Sequence, residues 1–96
     1  ITSIFGENIY YRRDMTVYPN PVRDVLTVEL PEGKEGRIVV FNMQGQLVSD
    51  DKCRDLDCRG LIQIDLSGLV AGSYSVEFLP EDNKERLIYT SLITKI

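Results

Sequence analysis

Residues 61–79 read LIQIDLSGLVAGSYSVEFL. Ile62, Ile64 and Leu66 alternate with Gln63 and Asp65, and Tyr74, Val76 and Phe78 alternate with Ser73, Ser75 and Glu77. Successive side chains of an extended chain point to opposite faces, so a period of two puts each apolar trio on one side of a strand. The segment between them, DLSGLVAG at 65–72, is too short and too glycine-rich for a helix and predicts a crossover with a single helical turn at most. Residues 25–30 (VLTVEL) repeat the pattern, with Leu26, Val28 and Leu30 on one face and Val25, Thr27 and Glu29 on the other. Further short runs of Val, Ile, Leu, Phe and Tyr lie at 15–18 (MTVY), 37–42 (RIVVFN), 46–51 (QLVSDD) and 86–95 (RLIYTSLITK).

Turn chemistry separates these runs: Pro19-Asn20-Pro21, Pro31 to Gly36, Met43-Gln44-Gly45, and Pro80 to Lys84. Short strands punctuated every eight to twelve residues or so predict an all-β fold, an immunoglobulin-like antiparallel β-sandwich of about seven strands. Each side chain buried in such a core contributes about 1.5–3 kcal/mol. Residues 1–14 (ITSIFGENIYYRRD) break the alternation and read as a linker or junction ahead of a sandwich over 15–96, in preference to an eighth, edge strand from Asn8 to Tyr11.

Length and composition narrow the function. The chain has 96 residues, 43% hydrophobic and 27% charged, which suits one globular core. A chain of about a hundred residues buries roughly two-thirds of its unfolded surface, leaving no room for a deep cleft or a second domain. Fifteen acidic and eleven basic residues give a net charge of −4, which repels a phosphate backbone and argues against a nucleic-acid partner. There is no histidine, the commonest general base near neutral pH and a frequent metal ligand, so the chain reads as noncatalytic. No apolar run reaches the eighteen or so residues that cross a bilayer. A start at Ile1 reads as part of a longer polypeptide.

Each cluster with chemical potential has a plainer reading beside it. Cys53 and Cys58, in CRDLDC, cannot fill a tetrahedral zinc shell without histidine; a disulfide between them and two free thiols both remain open. Asp50, Asp51, Asp55 and Asp57 lack the regular alternation and closing Glu of a calcium loop and read as a solvated charged loop, nearly neutralised by Lys52, Arg54 and Arg59. Ser67, Ser73, Ser75 and Ser91 have no imidazole to activate them, and Glu81 and Asp82 lie in a turn. Tyr74 is in phase with Val76 and Phe78 and reads as core, whereas Tyr10 and Tyr11 read as surface aromatics. No cofactor or metal is expected.

Val17-Tyr18-Pro19-Asn20-Pro21 followed by VRDVLTV, then VFNMQGQLV at 40–48, then IDLSGLVAGSYSV at 64–76, resembles the type A C-terminal sorting domain of the type IX secretion system, over most of residues 17–96. Each piece has a physical rationale. Pro19 and Pro21 fix φ and bar a helix, so Tyr18 to Pro21 turns the chain sharply between two strands. Gly45 suits a tight hairpin, Leu66 and Leu69 can plug the end of the sandwich, and Gly72 permits a positive φ before Tyr74 enters the core.

The resemblance implies a function that composition does not: a tail that guides an upstream cargo of the same precursor through the periplasm to the outer-membrane translocon. It also implies removal by a sortase-like protease and release or attachment of the cargo at the cell surface. On this reading Thr94, Lys95 and Ile96 expose the recognised signal, with the last strand offering its edge for backbone pairing. Members often finish with a more basic last strand, whereas this chain ends LITKI. The competing reading is an immunoglobulin-like accessory or binding module retained on a secreted protein. Edge strands also leave open a homodimer paired through the first or last strand.

Overall fold

The computed structural model describes residues 11–30, 36–53, 60–81 and 86–96. These form eight strands: β1 (Tyr11–Asp14), β2 (Val17–Tyr18), β3 (Val25–Glu29), β4 (Gly36–Asn42), β5 (Leu47–Cys53), β6 (Leu61–Asp65), β7 (Gly72–Pro80) and β8 (Leu87–Lys95). They build two sheets, one of five strands in the order β1-β8-β7-β4-β5 and one of three in the order β2-β3-β6. The neighbours are antiparallel except β1 and β8, which run parallel from Tyr11↔Leu87 to Asp14↔Thr90.

The alternation dictates the packing. Leu26, Val28 and Ile64 from the smaller sheet meet Ile38, Val40, Tyr74, Val76, Phe78 and Ile93 from the larger one, with Met15, Val22, Leu30 and Leu66 completing the buried cluster. Tyr89 packs on this core at its edge, its ring tilted 48° to that of Phe78 with centroids 6.1 Å apart. Val39 faces away from the cluster and is nevertheless buried. It lies in register between Asp50 and Glu77, whose carboxylates pair with Arg37 and Arg12 at 3.1 Å, and the aliphatic stems of such pairs cover apolar surface.

The stretch Tyr11–Asp14 departs from the junction reading, since it is a strand. All four residues are exposed, so the segment has no apolar face to mark it, and its extended form comes from hydrogen bonding to β8. The chain then changes sheets between adjacent residues. The Met15 N–H donates to Thr90 O of the larger sheet, whereas Thr16 O accepts from Glu29 N–H of the smaller.

The β4–β5 hairpin follows the predicted turn. Asn42 Oδ1 accepts from the N–H groups of Gln44 and Gln46, at 3.0 and 2.9 Å. Gly45 then takes φ 82°, a left-handed value that a side chain disfavours. Tyr10, Cys58, Asp55, Asp57 and the Cys53 side chain lie outside the described residues, and with them the disulfide and calcium readings.

Candidate functional site

The terminal strand β8 is bonded along both sides. On one side it pairs with β7 from Phe78↔Tyr89 to Gly72↔Lys95. On the other, β1 covers it as far as Thr90, flanked by Tyr11 N–H to Arg86 O at 2.7 Å and Met15 N–H to Thr90 O at 3.0 Å. There β1 ends, and a second segment takes over. Asn20 Nδ2 donates to Leu92 O at 3.1 Å, and Asn20 Oδ1 accepts from Thr94 N–H at 2.9 Å. Two residues on, Val22 N–H donates to Thr94 O at 2.8 Å and Val22 O accepts from Ile96 N–H at 2.9 Å, an isolated parallel bridge in register with Lys95.

Asn20 therefore presents β8 with what a neighbouring strand would present, one amide donor and one carbonyl acceptor at adjacent positions. A single orientation of the carboxamide satisfies both bonds, because Leu92 O needs a donor and Thr94 N–H an acceptor. The flanking sequence explains why a side chain does this. Pro19 and Pro21 have no N–H to donate. Val22, fully buried, anchors the far end of this clasp in the core. The outer edge of β8, expected from the sequence to be free for backbone pairing, is thus occupied.

The residues read as the signal divide. Thr94 and Ile96 are exposed, and so is Leu92 two positions earlier on the same face, at 70%. Lys95, in the opposite phase, is buried with 7% exposure, and its Nζ donates to Ile96 O at 2.9 Å. Tyr18, Pro19, Asn20 and Pro21 are all exposed, Tyr18 in β2 opposite Thr27.

The second motif builds a corner. Leu66 is buried, Leu69 packs partly buried against the core, and Leu69 N–H donates to Leu66 O at 3.0 Å. Leu66 N–H donates to Asp24 O at 2.7 Å, tying this corner to the start of β3. Gly72 has φ 155°, and two residues later the Tyr74 hydroxyl donates back to Val70 O at 2.6 Å. A tyrosine at the start of a strand that bonds the backbone a few residues upstream is a recurrent corner of immunoglobulin-like sandwiches. Asp65 accepts from Ser67 N–H at 2.9 Å. Hydrogen bonds from the Ser67 hydroxyl first and its N–H second hold the Asp65 carboxyl below its ordinary range.

Among the described residues, no three His, Cys, Asp or Glu side chains converge on a metal position. The depression lined by Tyr11, Arg12, Arg13 and Leu87 is open, and Arg12 is already paired with Glu77. Sequence reasoning missed the β1 strand, the burial of Lys95 and the contact between Asn20 and β8. The nearest signal for the last was an asparagine held between two prolines.

The fold and these contacts define a small immunoglobulin-like β-sandwich module whose terminal strand is clasped by its own N-terminal segment. The family model for the secretion system C-terminal sorting domain matches residues 16–91, and the chain belongs to that family. It is a C-terminal sorting signal of type IX secretion, a family noncatalytic in general. Membership carries a role with that secretion system, a cargo upstream in the same precursor, and export to the cell surface or the medium. No match to this chain was found among curated proteins or among solved structures.

Proposed function

We propose that this domain acts without catalysis of its own, as a folded address that carries its cargo through the periplasm to the outer-membrane translocon and is then removed by a sortase-like protease. The observation that carries the reading is the family match over residues 16–91, which includes the clasping segment and β8 as far as Ser91. The recognised feature is the end of β8. With its edge occupied, Thr94 and Ile96 offer side chains, in line with Leu92, where an open strand would offer backbone groups. Since Tyr11–Asp14 are bonded into the larger sheet, the junction to the cargo lies upstream of Tyr11.

The test is a periplasm-targeted reporter fused ahead of residues 1–96 in a bacterium with a working type IX system, compared with the same fusion lacking Thr94 to Ile96. Surface or medium location of the full fusion, with the shortened one folded and periplasmic, is the expected result. Periplasmic retention of both overturns the proposal.

A further inference from the structure

We infer that Asn20 is the positioning residue of the sorting strand: its carboxamide holds the end of β8 in the closed, fixed form in which the strand is read. The inference rests on the sorting role proposed above. Beyond Thr90, β1 no longer covers β8, and the remaining outer edge is held by Asn20 and Val22 alone among the described residues. Those two residues hold it differently. Val22 uses backbone groups and is buried, so its contribution survives most substitutions. Asn20 uses a side chain, is exposed, and spans sequence separations of 72 and 74 residues with its two bonds.

Without the carboxamide, Leu92 O and Thr94 N–H would face water as an open strand edge of the kind that recruits foreign strands. The ladder to β7 would persist, because Leu92 and Thr94 stay in register with Ser75 and Ser73. The domain would keep its fold while the last turn of the signal gained freedom, and the outward row of Leu92, Thr94 and Ile96 would lose its fixed spacing. Asn20 thus acts on recognition through β8, with no need to touch the receptor.

Two readouts on three variants test this. Asn20→Ala removes both bonds. Asn20→Asp keeps the acceptor for Thr94 N–H but places a carboxylate against Leu92 O. Asn42→Ala is the control, removing a side chain of similar bonding in the β4–β5 turn, at the far end of the sheet order from β1. In the 96-residue chain, Asn20→Ala is expected to speed amide hydrogen exchange at Thr94 about five- to tenfold, with Val39 and Val76 unchanged. Asn20→Asp is expected to retain most of the Thr94 protection.

In the reporter fusion, Asn20→Ala is expected to cut export at least about fivefold, Asn20→Asp to restore part of it, and Asn42→Ala to leave it at the wild-type level. Unchanged exchange at Thr94 refutes the clasp itself. Faster exchange with full export refutes the positioning role while leaving the sorting role intact. Equal losses of export in Asn20→Ala and Asn42→Ala reduce Asn20 to a stability residue and also refute it. Failure of the wild-type fusion to leave the periplasm overturns the sorting role and this inference with it.

Discussion

Replacing Tyr74 by phenylalanine removes one hydroxyl and leaves the ring in its packed position, 4% exposed among Val76, Phe78 and Ile93. The hydroxyl donates to Val70 O at 2.6 Å and is the side-chain bond that ties the crossover to β7. A hydrogen bond of this kind is worth about 0.5–1.5 kcal/mol net, and a carbonyl left without a donor in partly buried surroundings adds to the loss. The expected cost is therefore about 1–2 kcal/mol. For a domain of this size that lowers Tm by roughly 4–16 °C, taking about 4–8 °C per kcal/mol.

Urea unfolding followed by circular dichroism measures it, and the slope with denaturant should stay at its wild-type value because the buried surface is unchanged. A companion variant sharpens the test. The bond is to the backbone of Val70, whose side chain is 78% exposed, so Val70→Ala should fall within about 0.5 kcal/mol of wild type. A loss below about 0.3 kcal/mol for Tyr74→Phe, or one matched by Val70→Ala, would refute the corner as a stabilising contact.

Two further outcomes follow from burial and charge. Leu66→Ala empties a site 1% exposed at the end of the sandwich and should cost about 2–5 kcal/mol, whereas Leu92→Ala, at 70% exposure, should cost under about 0.5 kcal/mol; comparable losses in urea unfolding would contradict the assigned faces. Because the Ser67 bonds lower the Asp65 carboxyl in the folded state, its contribution is present above the unfolded value near 3.8 and disappears as pH falls through the lower folded value. Stability measured from pH 5 to pH 2 should thus decline less steeply in Asp65→Asn than in wild type, and identical slopes would remove Asp65 as a source of acid sensitivity.

Most of the fold was legible because it rests on short-range rules. The alternation at Leu26/Val28, Ile62/Ile64 and Tyr74/Val76/Phe78 follows from the pleat of a strand. The turn at Gly45 follows from its tolerance of a left-handed φ, and the resemblance to the sorting family was read from local strings such as YPNP and LSGLVAGSY. These features need only a residue and its near neighbours to be read.

Two of the features that escaped the sequence, the β1 strand and the Asn20 bonds, depend on contacts across more than seventy residues. Tyr11–Asp14 is exposed throughout and charged at three of its four residues, so nothing in YRRD marks a strand; it becomes one because β8 offers an unpaired edge beside it. Lys95 is buried although lysine is ordinarily a surface residue, because the phase of β8 set by Ile93 turns it inward, where its ammonium reaches Ile96 O. Asn20 could be read as a turn residue, but not as a partner of Leu92 and Thr94. By itself the sequence determined that the chain is a strand-rich sandwich bearing the marks of a sorting tail, since apolar period and turn chemistry are local properties. Only the tertiary structure decided that the end of this tail is closed, because hydrogen-bond partners along a strand edge are chosen by whichever segment the packed core brings alongside.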